Sequence, residues 1–571
     1  MATDLASKIA ELAPDESWLF SCIASRDINE RTQALQQLET WINEVIVVWQ
    51  SDSNKDIEEY EEEDEDGNDD DEGNTNSSQS ASEDWQAGFL RILLQVLRLS
   101  IQCPFEDVKN KCSDLLLSLK EKGIQVPRQC GRGSSAFIPS EELIPVSNGP
   151  DELDAKDVFI EVFIQNQRLD NLSSVLGLHP RYLSAFQQTQ EFMMKKDGPL
   201  PFEYRHYLAI MAAARHRCTY LVKLQENEFR NQGGDPAWLE SIDNIPTKLQ
   251  NLYELIKCAA HQPWHVDMNM IEPLLQPPNS WSLSELVQAV VIVSHFCALP
   301  CLVYGCGVNL EVDMEGGYTM ESPTQSEDVS PSMTNNNHTP EELEGASADV
   351  ETLMKRMKQL TEQSDAEDSQ EEHIKQFEKV ERQSLELAPK GEEQCCGDKS
   401  DLSNYLRDPE FKYKDFAKRG EESKLPTFRA QDYSWEEHGF SLVNRYYPDI
   451  ASLLDGKLSL TSNLTYNTMG QNTMVDTSLL RRAIWNYVHA LFGIRHDDYD
   501  YSEVNLLLDR SLKTYIKSVC CFPEMTTYKD YSHFWKDFKD SEKVHVNLMV
   551  LEARMQAGLL YVLRAIMEYM K

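Results

Sequence analysis

Positive charge is scarce in this sequence of 571 residues. Lysine and arginine together number 54, against 95 aspartate and glutamate residues, which gives a net charge of −41. Binding to nucleic acid requires clustered cations that neutralise phosphates, so this balance argues against a nucleic-acid partner. Because 41% of the residues are hydrophobic, the chain nevertheless has enough apolar material for about two to four domain cores.

Two further features are lacking. The first residues, MATDLASKIAELAPDE, contain neither the basic leader nor the apolar core of a signal peptide, which predicts a reducing compartment and free thiols. A long uninterrupted apolar run is also missing, because residues 286–308 contain Gln288, His295 and Pro300. We therefore expect no membrane span, and we interpret this stretch as a buried core helix followed by a break.

Acidic residues are concentrated in two windows, residues 51–85 and 311–400. Such runs repel themselves and have little to bury, so the first window predicts a disordered insertion between helices. In the second window, apolar residues recur at helical spacing after a stretch rich in small polar residues. The sequence therefore predicts a helical N-terminal region 1–130 with the insertion 51–85, a globular block 155–312, an acidic and mostly disordered linker 313–424 with short helices, and a globular block 425–571.

Helical periodicity recurs throughout the globular regions, whereas alternating strand patterns are scarce, so the predicted class is all-α. In block 155–312 the pattern predicts one helix over residues 207–224 and another that follows Ser282, where Ser282 and Glu285 form a capping-box motif. In block 425–571 it predicts helices over residues 478–492 and 541–570.

Cys218 lies in the segment RHYLAIMAAARHRCTYLVKL, directly after Arg215, His216 and Arg217. Neighbouring cations lower a thiol pKa and favour the thiolate, which reacts with peroxides. The alternative is a small buried core cysteine, which is the commoner case. The chain has no C-x-x-C pair that would resolve an oxidised Cys218, so a redox cycle requires a thiol from elsewhere.

Cys297, Cys301 and Cys306, together with His295, superficially resemble a metal site. Their spacing fits no zinc pattern and they lie in an apolar run, so we predict core packing and expect no metal. The adjacent cysteine pairs elsewhere in the chain are poor joint ligands, and we assign them no role.

Block 425–571 contains a different group of candidate residues. Arg481 lies in the first turn of its predicted helix, Glu542 and His545 share a face near the start of the last helix, and Trp535 precedes that helix. If the two helix starts converge, arginine could bind the carboxylate of a free amino acid and glutamate its ammonium. The alternative, which the residues alone favour, is a salt bridge between Arg481 and Glu542 with Trp535 in the core.

Asp497 and Asp498, in the motif RHDDYDY after Gly493, form an acidic loop with interleaved tyrosines. Such loops are usually solvated surface, and a protein-docking patch or a calcium loop are the functional alternatives. Calcium is disfavoured because the motif lacks the glycine and the final glutamate of an EF-hand.

Several long segments resemble the sestrins, a family of stress-induced regulators of the target-of-rapamycin pathway. They are GGDPAWL and the segment around Cys218 in block 155–312, and VDTSLLRRAIWNYVHALFGIRHDDYDY and FWKDFKDSEKVHVNLMVLEARMQ in block 425–571. Residues 1–130 match the family less clearly. The resemblance implies two related all-helical subdomains of the alkylhydroperoxidase and carboxymuconolactone decarboxylase type, together with a helical N-terminal extension.

The resemblance also implies a pocket for free leucine in block 425–571, and no cofactor. By position, Glu542 would hold the leucine ammonium, Arg481 its carboxylate, and Trp535 would cover the pocket. On this basis we prefer the ligand interpretation to the salt bridge. The matching latch positions are Thr465, Thr468 and Thr477, and the neighbouring positions are Tyr466, Leu480 and His545.

Partners are likewise implied by the resemblance alone. It gives Asp497 and Asp498 the role of docking on the GATOR subcomplex, which promotes activation of the Rag GTPases. A basic stripe that has been linked to the Rag GTPases themselves matches Arg510, Lys513 and Lys517. AMP-activated kinase is a further expected partner.

For the peroxide chemistry of the family, Cys218 and Tyr220 match the proposed reactive residues, but two positions depart from the pattern. Leu221 replaces the second cysteine of the ancestral C-x-x-C, and Gln225 replaces the histidine of the proton relay. Glutamine cannot transfer a proton near neutral pH as imidazole does, so we do not expect efficient peroxide turnover unless His206 or His216 takes over this role.

The leading hypothesis is a leucine-responsive negative regulator of the target-of-rapamycin complex, located in the cytoplasm and also the nucleus, that sequesters the GATOR subcomplex until leucine binds. A second hypothesis is a thiol antioxidant enzyme that acts through Cys218. A third is a helical adaptor whose pocket is filled by its own side chains.

Overall fold

The computed structural model describes residues 16–62, 75–131, 133–143, 155–278, 280–320, 350–363, 370–387, 402–421, 425–464 and 468–571. Their class is all-α, as predicted. The α-helices are α1 Glu16–Ile23, α2 Ile28–Glu62, α3 Thr75–Gln102, α4 Glu106–Glu121, α5 Ala155–Asn166, α6 Asn171–Leu176, α7 Pro180–Lys195, α8 Phe202–Arg215, α9 Thr219–Asn231, α10 Ala237–Glu240, α11 Thr247–Gln250, α12 Tyr253–His261, α13 Met268–Leu275, α14 Leu283–Gly305, α15 Val350–Gln363, α16 Gln370–Ser384, α17 Phe440–Tyr446, α18 Ile450–Asn463, α19 Ser478–Leu491, α20 Ser502–Leu507, α21 Arg510–Cys521, α22 Tyr528–His533 and α23 Asp540–Met570.

Strands within the described residues are all two residues long and form three small ladders. Two ladders are antiparallel and one is parallel. Their role is to fasten loops, since such short pairs cannot form a core of their own. The strands are β1 Arg128–Gln129, β2 Tyr318–Thr319, β3 Phe428–Arg429, β4 Thr468–Met469, β5 Asn472–Thr473 and β6 Ile494–Arg495, with β1 paired to β2, β3 to β6 and β4 to β5.

One compact unit comprises Met1–Arg132, Lys156–Ser174 and Leu310–Asn335. In it α3 packs against α4, and Asp313 accepts hydrogen bonds from Arg98 at 2.6 Å and from Arg168 at 2.9 Å. The start of the predicted linker therefore belongs to this unit. Of the acidic window 51–85, the structure assigns residues 51–62 and 75–85 to α2 and α3, while residues 63–74 lie outside the described ranges.

The second unit comprises Gly133–Ala155, Val175–Asn309 and Asn336–Lys571. Its centre is formed by α14 and α23, which pack along each other and against α8, α12 and α19. The predicted capping box is confirmed: Ser282 accepts from the Glu285 backbone N–H and Glu285 accepts from that of Ser282. Both α14 and α23 are long and apolar enough to cross a membrane, but their most apolar windows are completely buried inside the protein, as is usual for core helices.

The chain around Cys218 departs from the predicted single helix over residues 207–224. Helix α8 ends at Arg215 and α9 begins at Thr219. Between them Arg217 has a φ of +52°, which is incompatible with a continuous right-handed helix. The prediction of one continuous helix is therefore wrong. Because the turn contains neither glycine nor proline, the sequence gives no signal that the helix ends there. Cys218 consequently precedes α9 instead of lying in mid-helix.

Candidate functional site

Three helix ends meet around the predicted leucine-binding residues. Helix α18 ends with carbonyl groups that have no partner within the helix. The Thr461 carbonyl oxygen lies 3.2 Å from His545 Nε2, and the Ser462 carbonyl accepts a hydrogen bond from the Arg481 guanidinium. Because His545 lies near the start of α23 and Arg481 near the start of α19, the end of α18 brings these two helix starts together.

Glu542 occupies the third position of α23, where its carboxylate caps the helix by accepting a 3.0 Å hydrogen bond from the Lys539 N–H. The same carboxylate holds the β4–β5 hairpin. It accepts from Thr468 Oγ1 at 3.0 Å and from the Gly470 N–H at 3.0 Å. A glycine is required at this turn, since residue 470 has a φ of +61°.

Neither Arg481 nor Glu542 has an ionic partner in the part of the chain that the structure describes. Within it, no oppositely charged side-chain atom lies within 4.0 Å of either group. Arg481 donates instead to the neutral oxygen Thr477 Oγ1, at 3.2 Å, and to the Ser462 carbonyl. Burial lowers the pKa of its guanidinium. The alternative salt bridge between Arg481 and Glu542 is therefore not formed.

Three further residues of the predicted leucine site are buried. Trp535 and Leu480 are each 4% exposed, and the Trp535 indole stacks on the Phe538 ring at 4.1 Å. Burial lowers the pKa of His545 to about 4, so this imidazole is neutral at physiological pH. Sequence reasoning missed His179, whose Nε2 lies 2.8 Å from the Ser541 carbonyl oxygen at the start of α23. The predicted residues Thr465 and Tyr466 lie outside the described ranges.

Arg481 also lines a cavity of about 510 Å³. Its wall includes Ser462, Trp485 and His489, but not Glu542 or Trp535. In this conformation the hairpin donates hydrogen bonds to the Glu542 carboxylate. Arg481 faces a cavity that Glu542 does not line.

The two acidic loop residues differ in environment. Asp497 accepts from Arg429 Nη2 at 2.7 Å and from Arg495 Nε at 2.7 Å. Burial acts to raise the Asp497 pKa, but these hydrogen bonds outweigh it and lower the pKa. Asp498 is exposed, and its closest recorded contact is Gln431 Nε2 at 3.4 Å. Asp497 thus fixes the loop, and Asp498 is presented to solvent.

The predicted basic stripe is not a continuous surface. Arg510 is exposed at the start of α21. Lys513 is half-buried, donates to Asn505 at 2.7 Å, and has its pKa lowered to about 8 by burial. Lys517 is 1% exposed and donates to Asp415 at 2.6 Å. Lys517 therefore does not form an exposed basic surface with Arg510, because its ammonium is paired with Asp415 inside the protein.

Cys218 is buried, which agrees with the core alternative considered from the sequence. The thiol is 1% exposed, and burial raises its pKa to about 12. Tyr220 is buried as well. Gln225, at the predicted relay position, accepts a hydrogen bond through Oε1 from His206 Nδ1 at 2.8 Å, and burial lowers the pKa of that imidazole. This environment keeps Cys218 protonated at neutral pH.

Metal ligands are not assembled in the described ranges: no group of three or more histidine, cysteine, aspartate or glutamate side chains there is arranged to hold an ion. Cys297, Cys301 and Cys306 are buried in α14 and at its end, and their thiols are free. His295 is buried in the same helix.

Comparison with known proteins identifies the family of this chain. The family described as "PA26 p53-induced protein (sestrin)" matches residues 133–570. Sestrin-1 of Xenopus laevis is 46% identical over 83% of this chain and 99% of its own length. Sestrin-3 of Mus musculus is 47% identical over 79% of the chain and 95% of its own, and Sestrin-2 of Homo sapiens 47% identical over 78% and 92%. On these matches, the chain belongs to the sestrin family.

Proposed function

We propose that this protein is a leucine sensor that inhibits target-of-rapamycin signalling by holding the GATOR subcomplex and releasing it when leucine binds. The observation that supports this most directly is the state of Arg481 and Glu542. Each is held by neutral protein groups, and neither has an ionic partner within 4.0 Å in the described ranges. A zwitterion supplies both missing partners, a carboxylate for the guanidinium and an ammonium for the carboxylate.

The leucine side chain would be covered by apolar surface from Trp535 and Leu480, both of which are buried. Binding would replace or share the hydrogen bonds that the hairpin now makes to Glu542. The ligand would therefore bind one hairpin conformation more tightly than the other. A difference of a few kcal/mol in binding free energy between the two hairpin conformations is enough to move most of the protein into the one that binds leucine more tightly.

Helix α19 offers a direct connection from this site to the acidic loop. Arg481 lies in its first turn and His489 in its last. His489 Nδ1 lies 2.9 Å from His496 Nε2, and His496 is followed by Asp497 and Asp498. A shift at the start of this rigid helix therefore reaches the loop through a single element.

Calorimetry with the full chain and free leucine tests the pocket. We expect Arg481→Ala and Glu542→Gln each to weaken leucine binding at least about 100-fold, because a buried charge of the ligand is left unpaired. Arg445→Ala is the control, since Arg445 is exposed and does not line the cavity that Arg481 faces; it should bind normally. Unchanged affinity in both site variants would reject the pocket.

A pull-down with purified GATOR subcomplex tests docking separately. We expect Asp498→Ala to lose the subcomplex and to retain leucine binding, because this carboxylate is exposed. Asp497→Ala should also lose docking, but through a loosened loop, since it breaks the contacts with Arg429 and Arg495. Docking by Asp498→Ala at the wild-type level would exclude the loop as the contact surface.

The family resemblance also suggests further partners and a cellular location. We propose contact with the Rag GTPases through the exposed Arg510, and association with AMP-activated kinase. The proposed location is the cytoplasm and the nucleus, and the proposed subdomain type is that of the alkylhydroperoxidases.

The second candidate function is thiol-dependent reduction of hydroperoxides. The burial of Cys218 and its raised pKa argue against rapid attack by this thiol. Peroxide consumption by the wild type but not by Cys218→Ser would support the antioxidant function, and equal rates would remove Cys218 from it.

A further inference from the structure

A short basic segment stands out in this acidic chain. Residues 412–419, with the sequence KYKDFAKR, contain four lysine or arginine residues and one aspartate. Lys414 and Lys418 are exposed, and no carboxylate oxygen lies within 4.0 Å of either ammonium in the part of the chain that the structure describes. Two positive charges there have no counter-ion, although the net charge of the protein is −41.

Two other charges of this segment are already paired. Asp415 accepts a hydrogen bond of 2.6 Å from Lys517, which is buried. Arg419 forms an ion pair of 2.5 Å with Glu381, and its guanidinium lies 3.8 Å from the centre of the Phe416 ring. The aspartate is therefore not available to neutralise the two exposed lysines.

Both exposed lysines line a cavity of about 480 Å³, together with Asp415 and Arg419. Its wall also includes three aromatic residues, Trp264, Tyr413 and Phe522. The centre of the Tyr413 ring lies 6.0 Å from that of Trp264 and 5.5 Å from that of Phe522, and both pairs meet edge to face. A cavity of this size that combines rings with a few polar groups suits a small molecule.

Two buried polar side chains in this wall have groups without a partner. Trp264 is 7% exposed, and its indole N–H has no acceptor among the described residues. Gln262 is 4% exposed and also lines the cavity. Its Nε2 donates to the Lys412 carbonyl at 2.8 Å, whereas its Oε1 has no donor among the described residues. A ligand in the cavity could therefore bind to one donor and one acceptor that lie two positions apart in the chain.

These features together indicate the chemistry of the ligand. Lysine ammonium groups bind phosphate as point charges. Aromatic side chains accommodate a planar heterocycle, whose edge can accept a hydrogen bond from an N–H and donate one to an amide oxygen. The overall negative charge does not exclude such a ligand, because charges farther away than about 8 Å are largely screened at physiological ionic strength.

We propose that this cavity binds a nucleotide. The phosphate groups contact the ammonium groups of Lys414 and Lys418. The base lies against the aromatic wall, accepts a hydrogen bond from the Trp264 indole N–H and donates one to Gln262 Oε1. Adenine carries such an acceptor and donor next to each other, so ADP is the appropriate probe. The cavity shares no residue with the proposed leucine site, and the two proposals are therefore tested separately.

Calorimetry with the full chain compares three probes: ADP, adenosine, which lacks the phosphates, and inorganic pyrophosphate, which lacks the base. We expect ADP to bind at least about tenfold more tightly than either of the others, because only ADP contacts both the lysines and the aromatic wall.

Variants separate the two parts of the cavity. The double variant Lys414→Gln with Lys418→Gln should weaken the binding of ADP and of pyrophosphate at least about tenfold. Trp264→Phe keeps a ring in the wall but removes the N–H, so it should weaken ADP binding about threefold to tenfold and leave pyrophosphate binding unchanged. Lys375→Gln is the control, since Lys375 is an exposed lysine that does not line the cavity; it should bind all probes like the wild type.

Three outcomes would overturn the proposal. The first is no binding of ADP up to about 1 mM. The second is equal affinity for ADP and pyrophosphate, because the cavity would then hold an anion without recognising a base. The third is unchanged ADP affinity in the double lysine variant, which would place the nucleotide elsewhere on the protein. Thermal unfolding followed by circular dichroism would confirm that the variants are folded.

Discussion

Helix α23 carries two glutamates ten residues apart that the protein treats in opposite ways. Glu552, in the middle, is completely buried and forms an ion pair of 2.8 Å with Lys457 of α18, which is also completely buried. Tyr182 donates its hydroxyl to the same carboxylate. Glu542, at the start, accepts only from a hydroxyl and backbone N–H groups. Glu552 is therefore paired with a cation of the protein, whereas Glu542 has no cationic partner within 4.0 Å among the described residues.

The largest expected effect comes from breaking the internal pair. We expect Lys457→Met to reduce the free energy of unfolding by about 3–5 kcal/mol, because it leaves the Glu552 carboxylate buried and unpaired. The double variant Lys457→Met with Glu552→Leu should recover much of this loss, since no buried charge remains. Urea unfolding followed by circular dichroism measures both. A single variant as stable as the wild type would contradict the assignment of this pair as structural.

Removing the negative charge of each glutamate separately tests whether the two have different roles. Glu542→Gln should change the free energy of unfolding by less than about 1 kcal/mol, because glutamine still caps the helix, while the free energy of leucine binding weakens by about 3–5 kcal/mol. Glu552→Gln should instead lower the free energy of unfolding, because Lys457 is left unpaired in the core. Unfolding and calorimetry on the two variants decide the matter: similar stability losses in both would mean that Glu542 is also structural.

The sequence predicted the parts of this arrangement that depend on local signals. The helix starts near Ser478 and Ser541 followed from apolar periodicity and polar first-turn residues, and Ser282 with Glu285 followed from a capping motif. What could not be predicted depends on distant contacts. The hairpin on Glu542 requires Gly470 to approach from seventy-two positions away, and the burial of Lys517 depends on Asp415. The family resemblance suggests which residues act together, but only the three-dimensional structure shows which charges are already paired.

Acid should destabilise the site through His545. Its folded-state pKa of about 4 lies below the ordinary 6.5, mainly because of burial. The unfolded chain therefore binds more protons between these values, and stability is lost as pH falls from 6.5 towards 4. For this group alone we expect a loss of about 2 kcal/mol between pH 7 and pH 5.

The variant His545→Asn tests that estimate, because asparagine is polar and neutral like the uncharged imidazole but does not titrate. The difference in unfolding free energy between pH 7 and pH 5 should shrink by about 2 kcal/mol relative to the wild type. His533→Asn, at an exposed position, is the control and should leave the difference unchanged. An unchanged pH dependence in His545→Asn would show that this imidazole does not titrate as proposed.

The smallest expected effect concerns the hairpin that now occupies Glu542. Gly470→Ala places a methyl group 2.7 Å from the Asp537 carbonyl oxygen, at a φ of +61°. We expect a loss of about 1 kcal/mol in stability, because the turn must move or adopt a strained conformation. Gly456→Ala is the matched control, in the interior of α18 with nothing within 4 Å of the added carbon, and should stabilise the protein by up to about 1 kcal/mol. Since the Gly470 N–H holds the carboxylate that leucine would share, the first variant should alter leucine affinity as well, and the second should not. If both variants bound leucine like the wild type, the hairpin would have no part in closing the site, and the contrast between the two glutamates would rest on the charge of Glu542 alone.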